Sequence, residues 1–210
     1  MVMEIINLGH ASFLIKGENI SVVTDPYRDN SVPHLRMPRV EANYVTCSHD
    51  HYDHDAKDLV SIIPTDKELK CETIVVAHDH HNGAHRGLNN MYLFEIDGLR
   101  ILHTGDLGCI PLRDILEKMK NIDILLAPIN GHFTISAKEL KAIMDVINPR
   151  VTIPMHFYKE YNKSGYPDGG QIDTFKSLVG NYLEIDGYEA EINDEFFKNK
   201  VVIFNKELQE

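Results

Sequence analysis

The sequence predicts an α/β fold in which mixed β-sheets are flanked by helices. Short apolar runs typical of strands alternate along the chain with stretches whose apolar residues recur at helical spacing. Two pairs of apolar runs are joined by short polar turns, which predicts two β-hairpins. Hairpins require antiparallel strands and strand–helix alternation favours parallel ones, so we expect mixed sheets.

The first quarter of the chain predicts a strand, a hairpin and a loop. The strand covers residues 4–8 and the hairpin covers residues 12–24. Asp25-Pro26 ends the hairpin, because proline cannot donate a ladder hydrogen bond. Residues 27–43 are polar and contain two prolines. They predict a loop, and a loop beside a site often forms part of its rim.

The next part of the chain predicts two buried strands separated by a helix. Apolar residues 44–47 and 73–77 predict the strands. Residues 56–63 have helical composition and stop at Pro64. Residues 79–90 are polar, contain two glycines, and predict a loop.

The second half predicts a further hairpin, amphipathic helices and several strands. The hairpin turn is Asp97-Gly98, which suits type I′. Two helices are expected to begin at Pro111 and at the capping box formed by Ser136 and Glu139. The remaining expected elements are strands at 122–127 and 151–155, a loop to 170, a short helix from 172 and short strands to 204.

Length and composition predict one globular domain over residues 1–210. Hydrophobic residues make up 43% and charged residues 25% of the chain, which supports a sizeable core and argues against disorder. The formal net charge of −11 argues against nucleic acid or an anionic membrane as partner, because both would repel the chain. A small-molecule substrate is the expected partner, and a homo-oligomer is left open.

Cysteine use indicates a reducing compartment. Cys47, Cys71 and Cys109 are scattered and form no CxxC pair, so we expect free thiols. We expect neither a secretory leader nor a membrane-spanning helix, because the N-terminal residues lack the first pattern and no apolar run reaches the length of the second. A cytoplasmic location is therefore expected.

Residues 48–54 concentrate metal-binding residue types directly after a predicted strand. This segment holds three imidazoles and two carboxylates. His49 and His51 lie two residues apart, so their side chains project to the same side of an extended backbone. Asp53 and His54 are adjacent and diverge, so the segment can serve two metal ions. Imidazole nitrogen and carboxylate oxygen suit zinc and related divalent ions, with an idle polar loop as the alternative.

Further residues of the same types follow the ends of later strands, where sites of α/β folds tend to collect. Asp106 follows the second hairpin and His156 follows the strand at 151–155. By chemistry alone the strand at 73–77 leads to four competing histidines, namely His78, His80, His81 and His85. His78 is preferred because it leaves the strand directly.

Together these motifs resemble the metallo-β-lactamase superfamily. The similarity extends from the Gly-His-Ala-Ser-Phe segment at residues 9–13 to His156, with the metal-binding motifs in the family's order. Those motifs are His49-x-His51-x-Asp53-His54, His78, Asp106 in His-Thr-Gly-Asp, and His156 in Pro-Met-His.

The resemblance implies an αββα four-layer sandwich whose two mixed sheets are flanked by helices, with a two-metal site at one edge. It implies two ligand groups that share one residue: His49, His51 and His78 for the first ion, Asp53, His54 and His156 for the second, and Asp106 as the bridge. The expected cofactors are two divalent metal ions, zinc first, with manganese or iron as alternatives.

Two further motifs are similar to the ascorbate-phosphate-lactonase-like branch of that superfamily. They are His78-Asp79 followed by Arg86-Gly87-x-Asn89, and Pro128-Ile129-Asn130-Gly131. The first of them also favours His78 as the ligand. The similarity weakens after Phe157, so it does not identify the substrate.

Other residues beside these motifs are candidates for substrate contacts or for orienting the ligands. Those expected to meet substrate are Arg86, Asn89, Asn130 and His132. Those expected to accept the second N–H of a ligand imidazole are Asp25, His10 and His103. For each of the last three, a purely structural hydrogen bond is an equal alternative.

The charge balance of such a centre predicts hydrolysis of a small anion. Two divalent ions carry four positive charges and two aspartates remove two, which leaves about +2 to attract an anionic substrate. Such ions hold water as hydroxide near neutral pH and polarise a carbonyl or phosphoryl group. Asp53 would handle the proton. The sequence therefore predicts a metal-dependent hydrolase of a small ester, lactone or phosphoester.

Two other functions compete with hydrolysis. A di-iron redox protein is disfavoured, because such relatives carry Glu in place of His51 and depend on a flavin partner domain. A non-catalytic, metal-stabilised binding module is the second alternative, and it would not need an open coordination position. Antibiotic hydrolysis is disfavoured as well, because true β-lactamases tend to carry Cys in place of Asp106.

Overall fold

Two five-stranded mixed sheets pack face to face, and helices cover the outer side of one of them. The computed structural model describes residues 3–159, 163, 165–166 and 172–209. Two mixed sheets with few helices confirm the predicted fold class. Within these residues, the helices are all too short or too polar to span a bilayer.

In chain order the elements are short. The strands are β1 Glu4–Gly9, β2 Ser12–Lys16, β3 Ser21–Thr24, β4 Val40–Ala42, β5 Tyr44–Thr46, β6 Val60–Ile62, β7 Lys70–Ala77, β8 Leu88–Ile96, β9 Leu99–His103, β10 Ile124–Pro128, β11 Val151–Met155, β12 Leu183–Ile185, β13 Glu189–Glu191 and β14 Val202–Phe204. The helices are α1 Arg113–Lys118, α2 Ala137–Ile147 and α3 Ile172–Val179, with 3₁₀ turns at Lys57–Leu59 and Phe196–Lys198.

Each large sheet combines a hairpin with a parallel neighbour. The first sheet has the order β13-β1-β2-β3-β5, antiparallel except for β3 and β5. The second has the order β11-β10-β9-β8-β7, in which β11, β10 and β9 are parallel and β9, β8 and β7 are antiparallel. Asp97 and Gly98 both have positive φ (50° and 79°), as the predicted type I′ turn requires.

The core lies between the two sheets because residues on the facing sides of their strands are apolar. In β10, Ile124 and Leu126 point into this core, whereas Leu125 and Ala127 point to the opposite face. Phe13 and Phe94 meet them from other strands and are almost fully buried. Burying a side chain of this size contributes about 1.5–3 kcal/mol.

Helix α2 covers the outer face of the second sheet. Its predicted capping box is present, since Ser136 N donates to Glu139 Oε2 (2.8 Å) and Glu139 N donates to Ser136 Oγ (3.3 Å). Leu140, Ile143 and Ile147 repeat at helical spacing and are buried against β9 and β10. Helices α1 and α3 contribute apolar residues to the same layer.

The outer face of the first sheet is covered by a loop and two short strands. Tyr27, Leu35 and Val40 pack there with Val60. The Tyr27 hydroxyl donates to the Leu8 carbonyl oxygen (2.7 Å), so the loop is tied to β1 as well as packed on it. In the described part of the chain, segment 27–42 and β6 form most of this layer, and Tyr188 and Leu208 pack against it.

The helix predicted over residues 56–63 is wrong. Only a 3₁₀ turn forms at Lys57–Leu59, and β6 follows it in parallel with β4. Val60 is buried under the first sheet, and Ile62 continues the strand. β-Branched residues in sequence favour this extended conformation once a partner strand is available. That partner, β4, lies within the loop predicted over residues 27–43.

Both strands that were predicted to be buried lie at sheet edges. Strand β5 ends the first sheet and is half-buried, and β7 ends the second sheet and is mostly exposed. An apolar run does not distinguish a central strand from an edge strand, because both carry β-branched residues. The predicted loop from 157 to 170 lies largely outside the described residues.

The topology brings the carboxyl ends of several strands to one edge of the sandwich. Strands β1, β3, β5, β7, β9 and β11 end there, and each is followed within a few residues by a histidine or aspartate. Those residues are His10, Asp25, His49, His78, Asp106 and His156. The fold therefore assembles side chains that are far apart in the sequence.

Candidate metal centre

The loop at residues 48–54 is held in place by Asp25. One carboxylate oxygen of Asp25 accepts from Ser48 N (2.7 Å), and the other accepts from Ser48 Oγ (2.6 Å). The second oxygen also lies 2.8 Å from Nδ1 of His54, which directs His54 Nε2 into the centre. Asp25 is fully buried, so the loop is anchored by a carboxylate that has no contact with solvent.

A first group of imidazoles is formed by His49, His51 and His78. One ring nitrogen from each lies within 4.8 Å of the others. Ser48 Oγ lies 2.9 Å from Nδ1 of His49, which leaves Nε2 of that ring without a partner. His51 is exposed and His78 is buried, so this group reaches from the interior to the surface.

A second group is formed by His10, Asp53, His54 and His156. Their candidate ligand atoms also lie within 4.8 Å of one another. Asp53 Oδ2 is 3.4 Å from His10 Nε2 and 3.8 Å from His54 Nε2. The His10 and His156 rings lie 3.9 Å apart. The histidines of this group are all buried.

Asp106 lies between the two groups. Its Oδ2 is 3.5 Å from His78 Nε2 and 3.3 Å from His156 Nε2, and its Oδ1 is 3.4 Å from His54 Nε2. The backbone N–H of Asp106 donates to Asn89 Oδ1 (2.8 Å), which fixes the turn after β9. One carboxylate therefore faces imidazoles from both groups.

Backbone strain accompanies this arrangement. His10, Asp25 and His156 have positive φ values of 56°, 40° and 55°. Non-glycine residues in that region cost about 1–3 kcal/mol each and cluster at functional sites. Gly105 also has positive φ (52°), and a Cβ there would lie 2.4 Å from Asn89 Oδ1, so only glycine fits beside Asp106.

Charge within the centre is balanced by opposite charges at short range. Burial would lower the pKa of His54, but the carboxylates of Asp106 and Asp25 outweigh it and raise that pKa well above its ordinary value. Burial would raise the pKa of Asp106, but His156 and His54 hold it well below the ordinary value. Burial lowers the pKa of His49 to about 3, with His54 adding to the effect, so that ring is neutral.

The donor set fits divalent metal ions. Four donors at zinc's bond length of about 2.0–2.1 Å, placed as a tetrahedron, lie about 3.3 Å apart. The separations around Asp106 are 3.3–3.5 Å, longer than good hydrogen bonds. Several buried polar atoms of the centre have no hydrogen-bond partner: Nε2 of His10, His49 and His54, and Oδ1 of Asp106. Unpartnered buried polar atoms are costly, and a bound cation would satisfy these together.

An open pocket of about 210 Å³ leads to the centre. Its wall includes His51, Asp53, Arg86, Phe133 and Tyr166. The Arg86 guanidinium lies 4.5 Å from the centre of the Phe133 ring, which is a cation–π distance. The Tyr166 and Phe133 rings are 5.1 Å apart, so these three side chains form one continuous rim.

Asp79 organises the loop that carries Arg86. Its Oδ1 accepts from the backbone N–H groups of His81 and Gly83 (2.7 and 3.0 Å). Its Oδ2 accepts from those of His85 and Arg86 (3.0 and 2.8 Å). Burial would raise the pKa of Asp79, but these four donors hold it below its ordinary value. A single ionised side chain thus fixes the segment between β7 and β8.

Residues 4–156 match the family model of the β-lactamase superfamily domain. The chain belongs to this superfamily. A UPF0173 protein from Pyrococcus abyssi is 30% identical, with 90% of this chain and 100% of that protein covered. A UPF0173 metal-dependent hydrolase from Thermococcus onnurineus is 26% identical, with 85% and 92% covered.

Solved structures agree with the metallo-β-lactamase assignment. A Thermotoga maritima protein, described as a candidate Zn-dependent hydrolase of the metallo-β-lactamase superfamily, is 30% identical and covers 96% of this chain and 98% of its own, with a TM-score of 0.77. A Parabacteroides distasonis protein at 16% identity and a TM-score of 0.64, covering 97% and 93%, shows the same fold. The predicted superfamily is confirmed, and its ascorbate-phosphate-lactonase-like branch stays a prediction.

Some of the predicted site residues converge at the centre, whereas other candidate histidines make contacts elsewhere. The seven expected ligands and His10 converge at the centre, with Asp25 bonded to one of them. His103 instead bonds the backbone, with Nε2 2.8 Å from the Ala11 carbonyl and Nδ1 accepting from Gly105 N (3.3 Å). His80 is exposed and pairs with Glu139 (2.8 Å), and the exposed rings of His81 and His85 lie 4.5 Å apart, away from the groups described above.

The four residues expected to contact substrate differ in whether their side chains reach the pocket. Arg86 lies in the pocket wall. Asn89 is fully buried and its amide donates to the Thr104 carbonyl (2.8 Å), so it braces the Asp106 turn and is not presented to a substrate. Asn130 is buried, with its Oδ1 accepting from the backbone of His132 and Phe133. His132 is exposed, with its ring 4.5 Å from that of Phe133.

Sequence reasoning missed three residues of the site. The Tyr166 hydroxyl lies within hydrogen-bond distance of two acceptors, Asp53 Oδ2 (3.0 Å) and the Ser31 carbonyl oxygen (3.2 Å), and its single hydrogen donates to one of them at a time. Phe133 and Asp79 were likewise not assigned a role. The spacing His78-Asp79 could have indicated an Asx-type loop, because Asp is followed by donors two to seven residues later. Tyr166 and Phe133 carry no local pattern and reach the pocket only through the fold.

Proposed function

We propose that this protein is a metal-dependent hydrolase that cleaves a small anionic ester, lactone or phosphoester at a dinuclear divalent-metal centre. The observation that carries the proposal is the position of Asp106, whose carboxylate lies 3.3–3.5 Å from imidazoles of both groups. Relatives named metal-dependent hydrolases support the same activity.

The chain supplies two ligand sets for this chemistry. His49, His51 and His78 would hold one ion, Asp53, His54 and His156 would hold the other, and Asp106 would be shared. When bound, two such ions supply Lewis acidity and a water of lowered pKa. Zinc suits the donors best, since structural and catalytic zinc sites use imidazole and carboxylate ligands.

Asp53 is the residue that we assign to proton transfer. Burial would raise its pKa, but the nearby imidazoles of His10 and His54 hold the pKa below its ordinary value. The carboxylate therefore stays ionised and can accept a proton. It lines the pocket, so it is also close to where a substrate would lie.

Arg86 and the aromatic rim would position the substrate. The guanidinium is the positive side chain in the wall of this pocket, among the residues described. A guanidinium pairs with carboxylate or phosphate through two parallel N–H donors. Phe133 and Tyr166 would exclude water from the remaining part of the substrate and so strengthen the charge interactions. The proposed substrate is thus a small anion with an apolar portion.

Substrate profiling of the metal-loaded protein tests the proposal. A panel of lactones, phosphodiesters, phosphomonoesters and thioesters is assayed before and after chelator treatment and again after zinc is restored. We expect hydrolysis of at least one class, lost with chelator and recovered with zinc. Less than one divalent ion per chain after metal-replete expression would contradict the proposal.

Substitution of the shared carboxylate separates a hydrolase from a metal-stabilised scaffold. Asp106→Asn removes the shared negative charge with little change in shape, and exposed Asp145→Asn on α2 is the matched control. We expect Asp106→Asn to lose at least about 100-fold in turnover, roughly what one strong electrostatic contact in a transition state contributes. Unchanged turnover in Asp106→Asn would exclude the proposed site.

A further inference from the structure

We propose that His10 is an additional ligand of the ion held by Asp53, His54 and His156. This inference rests on the proposed function, because it extends the same centre. His10 lies on the turn after β1, about 40 residues before the histidine-rich loop, and no motif in the sequence assigns it to a metal. In the sequence analysis it is only a candidate for orienting a ligand imidazole.

The geometry places the His10 ring inside the second group. Its Nε2 lies 3.4 Å from Asp53 Oδ2, and its ring lies 3.9 Å from the His156 ring and 5.2 Å from the His54 ring. One ligand atom from each of the four residues lies within 4.8 Å of all the others. A separation near 3.4 Å matches two ligands on one zinc ion, which lie about 3.3 Å apart.

The Nε2 atom of His10 is buried without a hydrogen-bond partner, which costs free energy unless a ligand satisfies it. The His10 side chain is 1% exposed and Nε2 has no hydrogen-bond partner. A buried imidazole nitrogen that has no hydrogen-bond partner and faces a carboxylate and two further imidazoles has the properties of a ligand.

Backbone conformation points the same way. His10 holds φ at 56°, a conformation that costs a non-glycine residue about 1–3 kcal/mol. The preceding Gly9 has φ of 109°, and the His10 carbonyl accepts from His156 N (3.1 Å). The two strained turns, at His10 and His156, are therefore bonded directly to each other. This bond sets the His10 ring against the His156 ring.

The consequence is a centre with two unequal sites. The first ion would have three imidazoles, one of them on exposed His51, and would face the pocket. The second ion would have three buried imidazoles and a carboxylate. Asp106 would serve both. The second site has one ligand more than the first, so we expect it to bind its ion more tightly.

Cavity complementation tests the ligand role. His10→Gly removes the imidazole and suits the left-handed backbone, so the fold should persist. His10→Asn is the second variant, because Asn also tolerates this conformation. Zinc affinity of each site is measured by competition with a chromophoric chelator, alone and with added imidazole or 1-methylimidazole. The control is Tyr166→Phe, which removes a different partner of Asp53.

1-Methylimidazole is decisive because it can bind a metal but cannot donate a hydrogen bond. We expect both His10 variants to weaken zinc binding at the second site by about 10-fold or more. We also expect both imidazoles to restore it in His10→Gly, with no restoration in Tyr166→Phe. Unchanged affinity in His10→Gly, or a loss that 1-methylimidazole does not reverse, would overturn the ligand role. Wild-type protein that binds no zinc would instead overturn the proposed function itself.

Discussion

Asp25 and His54 form a fully buried pair in which a carboxylate oxygen lies 2.8 Å from Nδ1 of the ring. The same carboxylate also accepts two hydrogen bonds from Ser48, one residue before the first histidine of the cluster. A single side chain at the end of β3 therefore sets both the path of the loop and the orientation of His54 Nε2. Partners of this kind raise ligand basicity and fix the tautomer.

Asp25→Asn should weaken metal binding without unfolding the protein. The amide keeps the shape and tolerates the positive φ of 40°. The native carboxylate uses two oxygens to accept hydrogen bonds from Ser48 N, Ser48 Oγ and His54 Nδ1. The amide of Asn has only one acceptor oxygen, so His54 loses its fixed orientation. We expect a loss of about 10–100-fold in zinc affinity, measured by chelator competition.

Asp97→Asn is the matched control for Asp25→Asn. Asp97 also has positive φ (50°), but it lies in the exposed turn between β8 and β9. Its zinc affinity should equal that of the wild type. Equal losses in both variants, or none in Asp25→Asn, would contradict the orienting role of Asp25.

Asp79→Asn should loosen the loop between β7 and β8. The carboxylate accepts four backbone N–H groups, and an amide has one acceptor oxygen and two additional donors. We expect faster hydrogen exchange at the amides of His81, Gly83, His85 and Arg86, with exchange in β10 unchanged. Exposed Asp114→Asn on α1 is the control, and protection of the four amides at wild-type level would refute the assignment.

Much of the fold could be predicted from local pattern. The hairpin turn at Asp97-Gly98 and the capping box at Ser136 depend on residues a few positions apart, and both form as expected. The helix over 56–63 failed because β6 exists only through its pairing with β4, about 20 residues earlier. The composition of residues 56–63 alone contains no information about their pairing with β4.

The centre could be predicted only where ligands follow strands. His49, His78 and Asp106 converge as the sequence indicated, because strand ends meet at one edge of the sandwich. Asn89 was expected to meet substrate but instead supports Asp106, since the same residue type serves either purpose. Tyr166 reaches Asp53 across 113 positions, so neither spacing nor motif could reveal it.

Glu207→Gln should destabilise the protein strongly. Glu207 lies 2.7 Å from Lys159, and both side chains are buried, at 1% and 9% exposure. Removing one partner of a buried pair leaves an uncompensated charge, which costs about 3–5 kcal/mol. Chemical denaturation should show this loss. Asp186→Asn breaks the exposed pair with Lys206 and should cost less than about 1 kcal/mol.

The Lys159–Glu207 pair also predicts how the free energy of unfolding changes with pH. Burial lowers the pKa of Lys159 below 10.5 despite the attraction of Glu207. Between the folded pKa and 10.5 the unfolded chain binds more protons, so this lysine makes stability rise with pH in that window. Lys159→Met should remove this contribution. A wild-type profile identical to that of Lys159→Met would contradict it.

Arg86→Gln should separate anionic from neutral substrates. The guanidinium lies in the pocket wall, stacked on Phe133, and forms no ion pair with an acidic side chain within the part of the chain that the structure describes. Hydrogen bonds to charged groups are worth about 1.5–3 kcal/mol, so losing them should lower kcat/KM for an anionic ester by about 10–100-fold. For an uncharged ester with the same leaving group, kcat/KM should change by less than about threefold.

Arg86→Lys should recover part of the loss, because Lys keeps the charge but lacks the planar pair of donors. Arg113→Gln, exposed on α1, controls for net charge. Equal losses for both esters in Arg86→Gln would mean that Arg86 supports the pocket without binding the anion, since only a direct contact distinguishes the two substrates.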